Sequence, residues 1–492
     1  MKIFKNKEGK QIFLSALLLV IIIALYIEFN VIISKINFKD IDITEAKVYS
    51  LSTEAIEKIN SIEKDVYITL YDFEKYSDYT YTSDTVYILN QIDEMSEKIH
   101  IDLNEDTNNE NKIPYMIFSC EDKTRKVMLN ELVTYNYSTK YGFQDESYYI
   151  EPMIINSIIN VESTNDKKIY IYLDKSIYNE KMFTSFINIA GMMGFDSYSL
   201  DLTEDNEIPE DCAFIVIPPL ASVNENGTIE ALDFSDEERD KIENYISKGG
   251  NILFLQESKS VVSGETSNLD YIMELYGVSI SDGIVFQDEK IISDFPSYIY
   301  TNVNLNNDIF RMVNSNSAIC VFDSGIINIE DNSEQDRLNV KQNILIKTNS
   351  NAFLRKNLLN NNYSKSEDDE SIDGAAIGVY AEKNIGENKS KAIVFSSSIF
   401  SSNNPIYIKD VWTNKKLAVE AVLVDENQDI IIDSISALAE PDDHIFYKKS
   451  KFNVIPAKGI ISDGITLKII FGIPMFVLFI GYIIWRYRKN KI

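Results

Sequence analysis

The segment Cys212–Ser258 reads CAFIVIPPLASVNENGTIEALDFSDEERDKIENYISKGGNILFLQES and decides the fold. It contains two short apolar runs, Ala213–Ile217 and Ile252–Leu255, that no polar residue interrupts. Runs of this kind are typical of strands buried on both faces of a parallel sheet. Parallel neighbours need a crossover connection, so we expect a helix in the intervening sequence.

The intervening sequence carries signals for both ends of that helix. Ser235 and Glu238 have the spacing of a capping box, in which each side chain accepts a hydrogen bond from the backbone N–H of the other residue. Gly249 and Gly250 predict the end of the helix, since glycine adopts the left-handed conformation at little cost. The segment is therefore predicted to be a βαβ unit, and the fold class to be α/β with a doubly wound sheet.

Hydrophobic patterning divides the chain into two predicted α/β domains. Residues 34–165 follow a β-α-β-β order that is thioredoxin-like in outline, but they contain no CxxC pair, so redox activity is not implied. Residues 166–445 contain the βαβ unit and are predicted to form the doubly wound domain, similar in outline to glutamine-amidotransferase-like folds. Within this second domain, Asn357–Gly374 is polar and acidic and predicts a mobile surface loop.

Two long apolar segments predict membrane anchoring. Residues 12–33 would span about 33 Å as a helix, which is enough to cross a bilayer. A cleaved signal peptide is the competing interpretation, but its apolar core is roughly 7–15 residues long and ends at a small-x-small site, which Ile27–Val31 lacks. Residues 466–485 form the second predicted span, in which Pro474 is expected to introduce a kink.

Basic residues flank both predicted spans. Lysines are concentrated in residues 1–11, and the tail at 486–492 contains Arg486, Arg488, Lys489 and Lys491. The positive-inside rule therefore predicts a plasma-membrane protein with both termini in the cytoplasm. The bulk of the chain is then extracytoplasmic, and residues 446–465 are the juxtamembrane linker.

Composition argues against several function classes. A net charge of −29 and a pI near 4.5, without a basic stripe, argue against nucleic-acid binding. Three well-separated cysteines and two histidines offer little for metal or acid–base chemistry, so we predict neither a metal nor a cofactor. The sequence contains no GxxxxGKS/T loop and no GxSxG elbow, so the chain is not predicted to be an ATPase or an elbow-type serine hydrolase.

The carboxyl ends of the two central strands mark the best candidate site. Open α/β sheets bind ligands in the crevice outside those ends. The predicted crevice for a partner or ligand consists of Pro218, Pro219, Leu220, Gln256, Glu257 and Ser258. Ser258 follows a strand, as a nucleophile would, but neither His100 nor His444 is near it in sequence, so we assign no catalytic residue.

Several short motifs, in order along the chain, resemble one known family. They are Asp42–Ser52 (DITEAKVYSLS), Glu151–Ile159 (EPMIINSII), Ile208–Asp211 (IPED), Tyr245–Phe254 (YISKGGNILF), Leu275–Val278 (LYGV), Phe395–Phe400 (FSSSIF) and Trp485–Arg488 (WRYR). With them the chain resembles the GldG-type family, auxiliary membrane proteins of ABC transporters first associated with gliding motility. Ser396–Phe400 departs from the family pattern, which often has a glycine there.

The resemblance implies partners rather than chemistry. An ABC ATPase and a polytopic permease are the implied partners, with the lipid bilayer around the two spans. We therefore expect a non-catalytic auxiliary subunit that binds a partner or a transported substrate. The alternative is an extracytoplasmic enzyme, such as a hydrolase, or a ligand-binding receptor built on the amidotransferase-like sheet.

Overall fold

The computed structural model describes most of the chain between Leu51 and Ala439. The described ranges are 51–75, 80–109, 113–139, 143–163, 167–203, 207–287, 295–304, 309–313, 319–358, 364–409, 415–439 and 450–452, with residues 481 and 486. Apart from residues 450–452 of the linker and residues 481 and 486, the predicted spans, the linker and both charged tails lie outside the described residues. Within the described ranges, no helix has the length and apolar character needed to cross a membrane.

The chain divides into two compact units, Met1–Ser450 and Lys451–Ile492. The elements of the first unit are numbered here in chain order. Its N-terminal elements are α1 Thr53–Asn60, β1 Val66–Tyr71, α2 Thr80–Met95, β2 Ile99–Asn104, β3 Tyr115–Cys120, β4 Lys123–Met128, β5 Val133–Ser138, β6 Phe143–Tyr148 and α3 Ile150–Glu162. Strands β2-β1-β3-β4 form a four-stranded sheet in that spatial order, in which β1 is parallel to β2 and antiparallel to β3. Strands β5 and β6 pair with each other in antiparallel fashion.

The elements that follow build a larger sheet and its covering helices. They are β7 Lys168–Tyr172, α4 Thr184–Met192, β8 Asp196–Leu200, β9 Cys212–Ile217, β10 Ala221–Val223, β11 Ile229–Ala231, α5 Asp236–Ser247, β12 Asn251–Leu255, α6 Ser267–Glu274, β13 Val278–Ile280, β14 Ile284–Gln287, β15 Tyr298–Val303, β16 Ile319–Phe322, β17 Ile327–Ile329 and α7 Asn332–Leu338. The rest of the unit contains β18 Val340–Lys347, β19 Ala352–Arg355, β20 Glu370–Ser371, β21 Ala376–Ile385, β22 Asn388–Phe395, β23 Pro405–Lys409, β24 Lys416–Glu420 and α8 Asn427–Ala439. A last strand, β25 Ser450–Phe452, begins at the boundary of the second unit.

Among the described residues, the larger sheet has nine strands in the order β16-β15-β18-β21-β22-β12-β9-β7-β8. Strands β22, β12, β9, β7 and β8 run parallel to one another. The other four strands join through antiparallel pairs, beginning with β21 beside β22. The α/β class is therefore confirmed, and the sheet is mixed rather than wholly parallel, because the β21–β22 hairpin reverses the strand direction.

The predicted βαβ unit is confirmed at β9-α5-β12. The Ser235 hydroxyl accepts from the Glu238 backbone N–H, and the Glu238 carboxylate accepts from the Ser235 N–H, so both halves of the capping box form. At the other end of the helix, Gly249 has a φ of +92°, a conformation that only glycine adopts without strain.

The two faces of the parallel strands are both covered. On one face, Ile215, Ile252 and Phe254 belong to a buried cluster with Ile242 of α5 and Ile272 of α6. On the other face, α8 lies against β9, β12 and β22. Burial on both faces explains why β9 and β12 read as uninterrupted apolar runs.

The predicted mobile loop at Asn357–Gly374 is fixed at one point in its described part. Asp369 is buried and forms an ion pair with the buried Arg355, at 2.5 Å between Oδ2 and Nη2. The same carboxylate accepts from the Ser366 backbone N–H at 2.8 Å. The hydrogen bonds from Arg355 hold the pKa of Asp369 down at about 2. An acidic composition alone did not reveal this internal partner.

Candidate functional site

The predicted crevice residues lie together where β9 and β12 end. These strands are parallel neighbours, and Ile217 of β9 is opposite Phe254 of β12. Pro219, Leu220, Gln256 and Glu257 line one cleft against Leu269, Asp270 and Met273 of α6. Pro218 and Ser258 are not part of its lining. The cleft has a volume of about 40 Å³, which is room for little more than one water molecule.

Gln256 uses its side chain to hold the two strand ends together. Its Nε2 donates to the carbonyl of Ile217 at 2.8 Å and to that of Pro218 at 3.3 Å. Its backbone N–H donates to the carbonyl of Phe395 on β22 at 2.9 Å. Gln256 is buried, so its amide donors serve the protein itself and do not face a ligand.

Ser258 is fully buried and has a structural partner. Its hydroxyl donates to the carbonyl of Gly283 at 2.6 Å and accepts from the Ser260 backbone N–H at 3.1 Å. A Cβ on Gly325 would lie only 3.1 Å from the Cβ of Ser258. A substrate carbonyl therefore has no path to this hydroxyl in the described conformation, which disfavours Ser258 as a nucleophile.

Glu257 points its carboxyl group at the end of β22. Its Oε1 accepts from the Ser398 backbone N–H at 2.9 Å and also from the Ser398 hydroxyl. Its Oε2 is buried and accepts no hydrogen bond from the described residues, although other parts of the residue are accessible. Burial raises the pKa of Glu257 to about 8, so the group is mostly protonated at neutral pH.

Two further polar groups belong to this cluster. The Tyr178 hydroxyl lies 2.7 Å from the Ser398 Oγ. Burial raises the pKa of Tyr178 and of Asp323, and the charge of Asp323 adds to the rise at Glu257. Ser398 and Tyr178 are both buried, so this chain of hydrogen bonds can share a proton internally but leaves no space for a substrate.

Sequence reasoning identified Glu257 but missed its partners. Ser398 is 141 positions away along the chain, and Tyr178 and Asp323 come from other strand ends. One signal was present, because Ser396–Ser398 follows directly after the apolar strand β22. The carboxyl ends of neighbouring parallel strands lie close together in an open α/β sheet. Polar residues that directly follow a buried strand are therefore candidates for contacts with residues at the ends of other strands.

The remaining rim of the cleft is charged. Lys259 and Asp270 form an ion pair at 2.8 Å across its edge, and both side chains are partly exposed. Within the described ranges, no three His, Cys, Asp or Glu side chains are placed so that they could hold a metal ion. His100 lies elsewhere, stacked on Tyr67 at the edge of the N-terminal sheet.

Comparisons with known proteins give only distant likenesses. No protein-family model matches the chain, and no curated protein matches it. Among solved structures, the mmIFT52 N-terminal domain is 13% identical with a TM-score of 0.38, covering 56% of this chain and 98% of that one. A structure described as a GMP synthase component from Thermoplasma acidophilum is 14% identical with a TM-score of 0.28, covering 56% of this chain and 96% of that one.

A β-galactosidase from Rahnella sp. R3 is also similar over part of its length. It is 8% identical with a TM-score of 0.29, covering 59% of this chain and 34% of that chain. With TM-scores this low, we draw no argument about function from any of the three structures.

Proposed function

We propose that this chain is a non-catalytic auxiliary subunit of an ABC transporter complex. Spans at 12–33 and 466–485 would anchor it in the plasma membrane, with both termini in the cytoplasm beside an ABC ATPase and a polytopic permease. The extracytoplasmic part would combine the thioredoxin-like order of the N-terminal sheet with the doubly wound, amidotransferase-like larger sheet. Its task is to bind a partner or a transported substrate.

The observation that carries this proposal is that separate motifs of the family resemblance meet in space. The Ser52 backbone N–H, from the first motif, donates to the Glu151 Oε1 of the second at 2.5 Å. These residues are 99 positions apart, and the Ser52 hydroxyl also caps α1. Two weak sequence matches are thus parts of one structural junction, which supports the resemblance.

The central glycine motif makes a second junction of this kind. Gly250 lies under the Tyr245 ring of the same motif, and its carbonyl accepts a hydrogen bond from Ser390 on β22. The Phe395–Phe400 motif supplies Ser398, the partner of Glu257. These motifs therefore specify how the parallel strands join, which is what a shared fold would require.

The region where β9 and β12 end has little open space, which supports binding at the protein surface rather than catalysis at the strand ends. Gln256 and Ser258 use their polar atoms for internal hydrogen bonds, and the cleft beside them is small. The exposed features of the region are the Lys259–Asp270 pair and the loops around it. A protein partner can contact such a rim without entering the sheet.

The test is purification of the tagged full-length protein from its native membrane in a mild detergent. We expect an ATPase and a permease to co-purify in near-stoichiometric amounts. Replacing 12–33 and 466–485 by unrelated anchors, with the extracytoplasmic part unchanged, should abolish co-purification. Purification of the chain alone, together with a hydrolase activity that Ser258→Ala removes, would favour the enzyme alternative instead.

A further inference from the structure

A polar groove of about 120 Å³ lies where the N-terminal elements meet α4 and α8, and it shares no lining residue with the cleft at the strand ends. One wall consists of Asn130, Glu131, Val133, Thr134 and Tyr149. Helix α4 contributes the other with Ser185, Asn188, Ile189 and Met192, which share one helical face by their spacing. Gln428, in the first turn of α8, completes the lining.

The walls of the groove are held in place by hydrogen bonds. The Gln428 Nε2 donates to the Thr134 Oγ1 at 2.9 Å and to the Tyr135 carbonyl at 3.2 Å. The Ser185 backbone N–H donates to the Asn403 Oδ1 at 2.8 Å. The Gln428 and Thr134 side chains are therefore held in place before any ligand binds, which lowers the entropic cost of binding.

Several groups in the lining have unused hydrogen-bonding capacity. The Gln428 amide nitrogen donates to Thr134 and Tyr135, and its acceptor Oε1 has no hydrogen bond from the described residues. The Glu131 Oε2 accepts from the Met128 N–H at 3.0 Å, and Oε1 has no such partner among the described residues. The Tyr149 hydroxyl is buried without a hydrogen bond to any described residue.

The charge of the groove indicates which ligand would use these groups. Glu131 is the charged residue of the lining, and the positive charges of Arg125 and Lys126, which lie outside the lining, offset part of its charge. A carboxylate and an amide carbonyl, which both accept hydrogen bonds, favour a cationic donor. Val133, Ile189 and Met192 supply apolar contact beside them. The volume corresponds to about four water molecules, so a short alkyl chain fits.

We propose that the groove binds a primary ammonium group on a short alkyl stem. The ammonium would donate to the Glu131 Oε1 and the Gln428 Oε1, and the stem would contact Ile189 and Met192. This proposal does not rest on the transporter role. The same chemistry is offered by a small free amine and by a lysine side chain of another protein, and the two sources can be separated experimentally.

The experiment measures binding to the full-length protein in detergent by ligand-observed NMR. The probes are n-butylammonium and, for the lysine source, Nα-acetyl-lysine methylamide. We expect Glu131→Gln to weaken binding by about tenfold or more, since it removes a charge-assisted hydrogen bond. Glu225→Gln, an exposed loop substitution that is not part of the lining, is the matched control and should leave binding unchanged.

A second variant tests whether the ligand occupies the groove, and two control probes test whether binding needs both the positive charge and the N–H donors. Asn188→Phe, at an exposed position of the α4 wall, should fill the groove and block binding while leaving Glu131 in place. 1-Butanol lacks the charge, and tetramethylammonium lacks N–H donors, so neither should bind. Preference for the free amine or for the capped lysine identifies the source. Failure of both to bind, or equal binding by Glu131→Gln, overturns the proposal.

Discussion

At the scale of single residues, Glu257 shows how a predicted site residue can serve the fold. It follows β12, where a ligand-binding carboxylate would lie, yet its carboxyl turns inward to Ser398. There it accepts from the backbone N–H of Ser398, the residue that precedes a short 3-10 turn at Ile399–Ser401. The carboxyl group is buried and its Oε2 accepts no hydrogen bond from the described residues, so its charged form is disfavoured.

Glu257→Gln should remove a specific pH dependence of stability. Burial raises the pKa of Glu257 to about 8 in the folded protein, above the ordinary 4.5 of the unfolded chain. The stability that the proton contributes is therefore complete below about pH 4.5 and is lost as pH rises to about 8, at up to about 1.4 kcal/mol per pH unit. Between these two pH values, the free energy of unfolding of the variant should rise relative to that of wild type. Above about pH 8 the difference between the two proteins should stay constant.

Urea unfolding of a soluble 34–465 fragment at a series of pH values measures this difference. Asp425 and Asp433, whose pKa values burial raises to about 6 and about 7, titrate in both proteins and cancel. Glu225→Gln, in an exposed loop, should follow the wild-type curve. If the Glu257→Gln and wild-type curves run parallel from about pH 5 to about pH 8, the carboxyl group is charged in the folded state and the assignment is wrong.

Gly249→Val and Gly250→Val should both lower the melting temperature of the same fragment, for different reasons. Gly249 has a φ of +92°, where a side chain costs roughly 1–2 kcal/mol. Gly250 has an ordinary φ, but a Cβ there would lie 2.3 Å from the partly buried ring of Tyr245. The prediction that at least one of the pair has a positive φ is thus confirmed for Gly249.

A double-mutant cycle separates the two causes. Tyr245→Ala should make Gly250→Ala markedly less costly, because the clashing ring is gone, while the cost of Gly249→Ala stays the same. Additive effects at Gly250 would show that the ring does not set the limit there. Unchanged melting temperatures for both valine variants would refute the whole account.

At the scale of elements, α5 is tied to the sheet by its own capping residue. Besides capping, Glu238 accepts from the Tyr172 hydroxyl at 2.7 Å and forms an ion pair with Lys175, both at the end of β7. Burial alone would raise the pKa of Glu238, but the hydrogen bonds from Lys175, the Ser235 N–H and Tyr172 hold it below its ordinary value. One side chain thus fixes both the start of a helix and its position on the sheet.

Glu238→Gln should therefore destabilise the 34–465 fragment more than Ser235→Ala. Loss of the Ser235 cap costs about 1 kcal/mol. Removing the Glu238 charge leaves Lys175, about three-quarters buried, without its counter-ion, so we expect roughly 2 kcal/mol or more. Asp236→Asn is the control in the same turn, because the Asp236 carboxylate is exposed and its ion pair with Arg239 should contribute little to stability. Equal losses for all three in chemical unfolding would contradict this ranking.

Elements were predictable where the sequence itself encodes their burial. The uninterrupted apolar strands β9 and β12 and the capped helix α5 were found at nearly their observed bounds. Helix α7 was missed because none of its residues is buried, and its ends depend on the Asp331 side chain and a left-handed Asn339. The β23–β24 hairpin was missed because its buried Ile406 and Ile408 alternate with exposed residues over only one short strand.

At the scale of the whole molecule, the important contacts join distant parts of the chain. Asp425 accepts from the Thr139 backbone N–H at 3.0 Å, across 286 positions, and the Cys320 thiol lies 3.1 Å from the same carboxylate. Pairings of this kind leave no local periodicity, so sequence patterns could place the crevice at the strand ends but could not show that Glu257 and Ser258 are occupied internally. The groove between α4 and the N-terminal elements was invisible for the same reason.

The membrane topology is the prediction on which the proposed function depends most. The structure identifies an exposed position at which this topology can be tested by cysteine labelling. We expect both termini inside and the acidic loop outside, because lysines and arginines flank the spans at 12–33 and 466–485. A cysteine introduced by Asp368→Cys should react with a membrane-impermeant maleimide on intact cells, since Asp368 is exposed. Lys5→Cys should react only after the membrane is permeabilised.

The native thiols provide the background for this experiment. Cys120 and Cys320 are buried, and burial raises the pKa of the Cys212 thiol to about 12, so wild-type protein should label weakly. Asp369 must stay unchanged, because its ion pair with the buried Arg355 holds the loop. Asp369→Cys would break this ion pair, so labelling could result from local unfolding. Asp368→Cys leaves the ion pair intact, so its labelling reports exposure alone. Labelling of Lys5→Cys on intact cells would place the N-terminus outside and remove the basis for a cytoplasmic ATPase partner beside it.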